Sequence, residues 1–262
     1  MRKAVFLDRD GTLIRNHHHG CDPDGIELFG GVPEGLGLLK RAGYALVVVT
    51  NQSGIARGLF TEGQLAVMHR RLGGLLEERG AGIDGWYYCP HHPEGVVPRY
   101  SIACDCRKPR PGMVLRGCSD LGIDPSASWL IGDILDDVEA GKRAGTRAIL
   151  LEVGTEGEPD RPERVPDYVA LSFLEAVGHI LAARSPDTDG SMGGLASVGR
   201  GFIPRRPRVT VDRRRGTRPR PTFSSAGTMA AQRIVLTGSI GLTAGQSALP
   251  YVLQRPEGHR RG

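Results

Sequence analysis

Asp8 and Asp10, two acids separated by one residue, close the stretch Ala4-Val-Phe-Leu-Asp-Arg-Asp-Gly-Thr-Leu13. If the chain bends at Gly11, both carboxylates can face one small volume, where they repel unless they share a proton or a cation. A hard divalent ion such as Mg²⁺ relieves that repulsion and can hold a phosphate oxygen as well. On its own, Asp-x-Asp-Gly is equally at home as an acidic turn closing a strand. Three further groups bear on the choice: Thr50-Asn51-Gln52-Ser53, Arg107-Lys108-Pro109, and Gly132-Asp133 with Asp137 four residues on. Taken singly, Thr-Asn-Gln-Ser is more often a plain turn and an Arg-Lys pair more often solvated surface charge, so their order along the chain has to decide.

A second constellation has the spacing Cys89-x-His91-x12-Cys104-x-Cys106. Three thiolates and one imidazole make a closed tetrahedral Zn²⁺ site, which keeps no open position and is therefore structural. His92 is the alternative nitrogen ligand. Cys21 and Cys118 are spare thiols. His17, His18 and His19 stand side by side in a loop and do not converge easily on one ion, so they are expected to flank a substrate mouth.

Strands must position these groups. Val5-Phe6-Leu7 is a short apolar run stopped by polar residues, the pattern of a strand buried on both faces of a parallel sheet. Pro33 opens a helix that Gly43 ends, with Leu36, Leu38, Leu39 and Ala42 on its apolar face. Tyr44–Val49 reads as a second buried strand. Thr61-Glu62 starts a helix running to about Arg79, and residues 84–89 form a third strand. A helix from Pro111 to about Leu121 precedes a fourth strand, Trp129–Ile131. Asp136–Ala144 is the next helix and Arg147–Leu151 the fifth strand. A short strand near Tyr168 and a helix from Ser172 to Ala183 close the domain. Alternating strands and helices predict an α/β fold, with helices on both faces of a parallel sheet. Asp8, Thr50, Cys89 and Asp133 all fall at strand ends, on one rim.

Taken in order, Phe6-Leu-Asp8-Arg-Asp10-Gly-Thr12, Val49-Thr50-Asn-Gln-Ser53-Gly, Cys106-Arg107-Lys108-Pro and Ile131-Gly-Asp133-x3-Asp137 resemble the four motifs of the haloacid dehalogenase (HAD) superfamily of phosphatases. Within it, residues 1–182 resemble the heptose-bisphosphate phosphatases and the related histidinol-phosphate phosphatases. The resemblance implies a HAD-like three-layer α/β sandwich with a central parallel Rossmann-like sheet, no separate cap domain and a structural zinc loop. It implies Asp8 as the nucleophile that becomes an aspartyl phosphate. Asp10 would protonate the leaving oxygen and then activate water. Mg²⁺ would be held by Asp8, Asp133 and the backbone carbonyl of Asp10, with Asp137 in support. Thr50 and the backbone of Asn51, Gln52 and Ser53 would bind phosphate. Lys108 would balance the phosphoryl charge while Arg107 reaches the substrate. Zinc would sit on Cys89, His91, Cys104 and Cys106, fixing the aim of the two cations that follow.

The implied substrate is a small phosphorylated sugar, most like D-glycero-D-manno-heptose 1,7-bisphosphate losing its 7-phosphate on the way to nucleotide-activated heptose. Histidinol phosphate is the alternative, and a non-catalytic sugar-phosphate binder the alternative of another class. Intact Asp8 and Asp10 argue against the binder. Ile134 follows Asp133 where the heptose enzymes often carry a polar or cationic residue, which leaves the exact substrate open.

The chain has 262 residues. Residues 1–184 carry 21 Lys+Arg against 25 Asp+Glu, while residues 185–262 carry 13 against 4. The basic balance therefore belongs to the tail, which has arginine but no lysine, is rich in Gly and Pro, and shows little periodicity. Such composition predicts a disordered extension after a 1–184 domain. Its arginines suit acidic surfaces or nucleic acid, but Phe202, Phe223 and Tyr251 are few aromatics for stacking bases, and a passenger segment is the expectation. The 18-residue apolar run of a membrane span is missing, as is the h-region of a signal peptide. An odd number of cysteines does not suggest a secreted disulfide framework. A cytoplasmic monomer is the expectation.

Overall fold

The computed structural model describes residues 1–15, 21–152 and 157–183. The expectations for His17, His18 and His19 and for the 185–262 tail lie outside these residues. Six strands form one parallel sheet: β1 (Ala4–Leu7), β2 (Ala45–Asn51), β3 (Gly85–Cys89), β4 (Trp129–Gly132), β5 (Arg147–Leu151) and β6 (Tyr168–Ala170). Their order across the sheet is β3-β2-β1-β4-β5-β6. The connecting helices are α1 (Val32–Arg41), α2 (Glu62–Glu77), α3 (Gly112–Leu121), α4 (Leu135–Ala144) and α5 (Phe173–Ala182).

Strand β1 shows why the apolar runs are continuous. Side chains alternate faces along a strand, and here both faces are covered. Val5 and Leu7 pack into one core with Leu36 and Leu39 of α1, Met68 and Leu72 of α2, and Phe173 and Val177 of α5. Ala4 and Phe6 join the opposite core with Met113 and Val114 of α3 and Ala144 of α4. Phe6 is fully buried, so truncating it to Ala would cost about 3–5 kcal/mol.

Helix α2 begins at a reciprocal cap: the Thr61 hydroxyl accepts from the Gln64 amide while the Gln64 side chain accepts from the Thr61 amide. That satisfies two of the donors a helix start leaves open. In α1, Glu34 in the first turn and Lys40 and Arg41 in the last complement the helix dipole.

The strands reach further than their apolar runs. Strand β2 runs two residues past Val49, through Thr50 and Asn51, because those residues pair in register with Tyr88 and Cys89 of β3. Polar residues expected to begin a loop are thus held inside the sheet. The strand order reverses between β1 and β4, and at that switch point the carboxyl ends of the strands open a crevice.

Candidate active site

Asp8 leaves β1 with its amide bonded to the carbonyl of Ile131 in β4 (3.0 Å). Asp133 leaves β4 directly alongside. Between them Gly11 adopts φ +89°, and a Cβ there would collide with the Asp133 carboxylate. Glycine is therefore required twice at this position, for its left-handed backbone and for its missing side chain.

Asp8, Asp10, Thr50, Asn51, Lys108, Asp133 and Ile134 line an open cleft of about 180 Å³. The Lys108 ammonium enters from the loop before α3. It lies 2.5 Å from Asp8 Oδ1 and donates to the Val49 carbonyl at 3.0 Å. It also lies 2.5 Å from Asp137 Oδ1, on the first turn of α4. Burial works against a charged Lys108, but Asp137 and Asp8 outweigh it and hold its pKa above the ordinary lysine value. Burial pushes the Asp8 carboxyl well above the usual carboxylate range; Lys108 opposes the shift, and Asp137 and Asp133 add to it. Asp133 is pushed up to about 6, by burial first and by Asp137 next. Asp8, Asp133 and Asp137 place ligand oxygens within 4.8 Å of one another. So acidic a group, held partly against its own ionisation, fits a divalent cation of oxygen preference.

Asp10 sits on the other side of the bend. Arg9 grips both of its oxygens through Nε and Nη2 at 2.8–3.2 Å. Gln52 Nε2 adds a bond to Asp10 Oδ2 at 2.8 Å and another to the Thr50 hydroxyl oxygen at 2.8 Å.

The residues expected to bind phosphate therefore divide. Thr50 and Asn51 line the cleft, whereas Gln52, Ser53 and Arg107 are not among its lining residues. The Gln52 amide donates to the Cys89 carbonyl (2.8 Å), and its side chain bonds Asp10 and Thr50. The Asn51 side chain clasps the Lys108 backbone, donating to its carbonyl and accepting from its amide, both at 3.1 Å. Arg107 turns toward the His91 carbonyl (3.5 Å). Ile134 puts an apolar side chain on the cleft wall.

Cys89, His91, Cys104 and Cys106 converge. Cys89 Sγ is 3.5 Å from Cys104 Sγ, which is 3.3 Å from Cys106 Sγ. His91 Nδ1 is 3.4 Å from Cys106 Sγ and 3.7 Å from Cys89 Sγ. The edges of a tetrahedron drawn at zinc–thiolate bond lengths are about 3.7 Å, so the four atoms fit such an ion. Hydrogen bonds from Cys106 and Cys89 hold the Cys104 thiol far below its ordinary pKa, while the bond to Cys104 pushes Cys89 up. His92 faces away, its ring nitrogens meeting Arg57 and the Glu94 amide, both at 3.2 Å. Because Cys89 ends β3 beside Asn51, this cluster is built onto the rim that carries the cleft.

Arg9 and His69 were not singled out by the motifs. Arg9 is buried despite its charge, and its Nη1 lies 3.2 Å from Nε2 of the equally buried His69. The available signal was that His69 falls on the apolar stripe of α2, between Leu65 and Leu72.

Residues 105–176 match the description of HAD-hydrolase-like proteins. The chain is 43% identical over 185 residues to D-glycero-β-D-manno-heptose-1,7-bisphosphate 7-phosphatase of Escherichia coli K12, covering 70% of this chain and 96% of that protein. It is 47% identical over 176 residues to the enzyme of the same name from Pasteurella multocida, covering 67% and 95%. Among solved structures, D,D-heptose 1,7-bisphosphate phosphatase from B. bronchiseptica, complexed with magnesium and phosphate, superposes with a TM-score of 0.60. It is 27% identical and covers 70% of this chain and 99% of that one.

Proposed function

The chain belongs to the D-glycero-β-D-manno-heptose-1,7-bisphosphate 7-phosphatase family of HAD-like hydrolases, and from that membership we propose how its residues divide the reaction. It is a phosphatase that removes the 7-phosphate of the heptose bisphosphate. The observation that carries the division of roles is Asp8: buried, at the end of β1, with Lys108 on one oxygen and Asp133 beside it.

Asp8 attacks phosphorus. As the new P–O bond forms, the bond to the sugar oxygen breaks, and Asp10 gives that oxygen a proton. Asp10 then takes a proton from the water that hydrolyses the aspartyl phosphate, restoring both carboxylates to their starting states. Thr50 donates its hydroxyl to a phosphoryl oxygen, and Lys108 balances the charge. Asp8, Asp133 and the Asp10 backbone carbonyl would hold Mg²⁺, which would supply further neutralisation of the phosphoryl oxygens. Asp137 is shared with Lys108 and steadies the ammonium. Cys89, His91, Cys104 and Cys106 would hold a structural Zn²⁺ and so fix the segment that ends in Arg107 and Lys108. A cytoplasmic monomer is part of the same reading, an odd number of cysteines not suggesting a secreted disulfide framework.

Phosphate release from heptose bisphosphate and from histidinol phosphate, measured side by side, tests the substrate. A kcat/KM at least about 100-fold higher for the heptose is expected; a preference for histidinol phosphate would overturn the assignment.

A further inference from the structure

Arg9 is the residue between the two catalytic aspartates, and its guanidinium is divided between two jobs. One edge, Nε with Nη2, is spent on both oxygens of Asp10. The remaining Nη1 reaches Nε2 of His69 on α2, at 3.2 Å. A guanidinium has donors only, so Nε2 must accept, which places the ring proton on Nδ1. Burial, with the Arg9 charge adding to it, keeps the His69 pKa well below its ordinary value, so the accepting neutral ring is the form present. The ring itself is fixed: it stacks on Trp86 with centroids 4.8 Å apart and meets Tyr88 edge-on at 6.1 Å. Trp86 and Tyr88 belong to β3. A rigid aromatic layer on the sheet therefore holds His69, His69 holds Arg9, and Arg9 holds the carboxylate that exchanges protons with substrate and water.

We propose that His69 is a positioning residue for proton transfer by Asp10, acting through Arg9. The inference rests on the phosphatase reading of Asp10 given above. A flexible arginine pinned at one end only would leave the carboxylate free to rotate, and a misplacement of about 1 Å can cost up to about 100-fold in rate. Pinned at both ends, the Arg9 fork sets the plane of the Asp10 carboxylate, and Gln52 fixes its rotation from the other side.

The consequence is selective, because the first half of the reaction needs a proton only when the leaving group is basic. For a reaction through a covalent intermediate, kcat/KM reports steps up to departure of the leaving group. A sugar alkoxide needs the Asp10 proton; p-nitrophenolate does not. His69→Phe keeps the stacking on Trp86 and the apolar bulk but removes the acceptor. It should lower kcat/KM for heptose bisphosphate by about 10-fold, a fraction of the full acid–base contribution. For p-nitrophenyl phosphate the change should stay within about 2-fold. His69→Gln, which restores an acceptor, should return the heptose value to within about 2-fold of the parent.

A loss of equal size on both substrates would reduce His69 to a structural residue and overturn the proposal. So would an unchanged heptose value, or a loss that Gln does not relieve. If His69→Phe does not fold, His69→Leu reads the same ratio. The parent enzyme's own turnover of heptose bisphosphate tests the substrate assignment, whereas the variant-to-parent ratio tests His69, so the two can fail separately.

Discussion

The Lys108 ammonium lies 2.5 Å from Asp8 Oδ1, and both side chains are buried. Lysine and aspartate come from loops 100 residues apart in the chain, and the second carboxylate on the same ammonium, that of Asp137, comes from α4. Two negative charges around one positive charge leave the cluster short of a cation. That shortage agrees with an upward-shifted Asp8 carboxyl and an Asp133 pKa of about 6. Asp8→Asn keeps the shape but removes the attacking oxygen, so activity should fall below about one-thousandth of the parent while the far-ultraviolet circular dichroism is unchanged. Substantial turnover of heptose bisphosphate by the purified variant would sink the nucleophile assignment.

Lys108→Met should be worse for stability than Asp8→Asn. Removing the cation leaves Asp8 and Asp137 buried against each other, and breaking such a buried cluster from one side costs about 3–5 kcal/mol. Chemical denaturation compared across the two variants reads this directly, and equal midpoints would contradict it.

Gly11→Ala is the smallest change expected to be severe. The added methyl meets the Asp133 carboxylate, and φ +89° strains any residue with a Cβ. Relieving the clash moves a proposed Mg²⁺ ligand, so the stabilisation that saturating Mg²⁺ gives the parent should shrink. Thermal shifts with and without the ion measure it; a Mg²⁺ shift equal to the parent's would show that Asp133 does not need this approach.

The sheet was readable because strands buried on both faces need uninterrupted apolar runs, and Val5-Phe6-Leu7 and Leu46–Val49 have them. Lys108 was singled out only by the order of the motifs, whereas Asp8, Thr50, Cys89 and Asp133 were readable from their place at the ends of such runs. The division of labour around them was not. Whether Gln52 gives its amide to phosphate or to Cys89 depends on the register of β2 against β3, and Thr50 and Asn51 continue that strand beyond the point where its hydrophobicity stops. Arg9 had no role of its own in the sequence reading, since nothing local reveals the His69 acceptor 60 residues on. Asn51 likewise gave no sign that its amide would clasp the Lys108 backbone.

Metal analysis of the purified protein should find about one zinc per chain, from the four converging ligands. Cys104→Ser removes the sulfur shared by the contacts to Cys89 and Cys106. It should lower the melting temperature and activity together, since Lys108 follows Cys106 by two residues and depends on that segment for its position. Full activity in protein shown to be free of zinc would separate the cluster from the cleft.

A chain ending at Arg184 should keep kcat/KM within about 2-fold of the full length and its melting temperature within a few degrees. Every residue placed in the reaction lies before residue 140, and α5 closes against α1 and the sheet through Phe173 and Val177 by Ala182. The E. coli relative gives an independent reason: 185 aligned residues, about the length of the shortened chain, already span 96% of that enzyme. Those residues carry 13 Lys+Arg against 4 Asp+Glu, so their removal should also abolish any salt-sensitive retention on a polyanion resin, an attraction screened over about 10 Å at 0.1 M salt. A large loss of activity or of melting temperature in the shortened chain would show that the C-terminal segment packs on the domain, and the boundary would have to move.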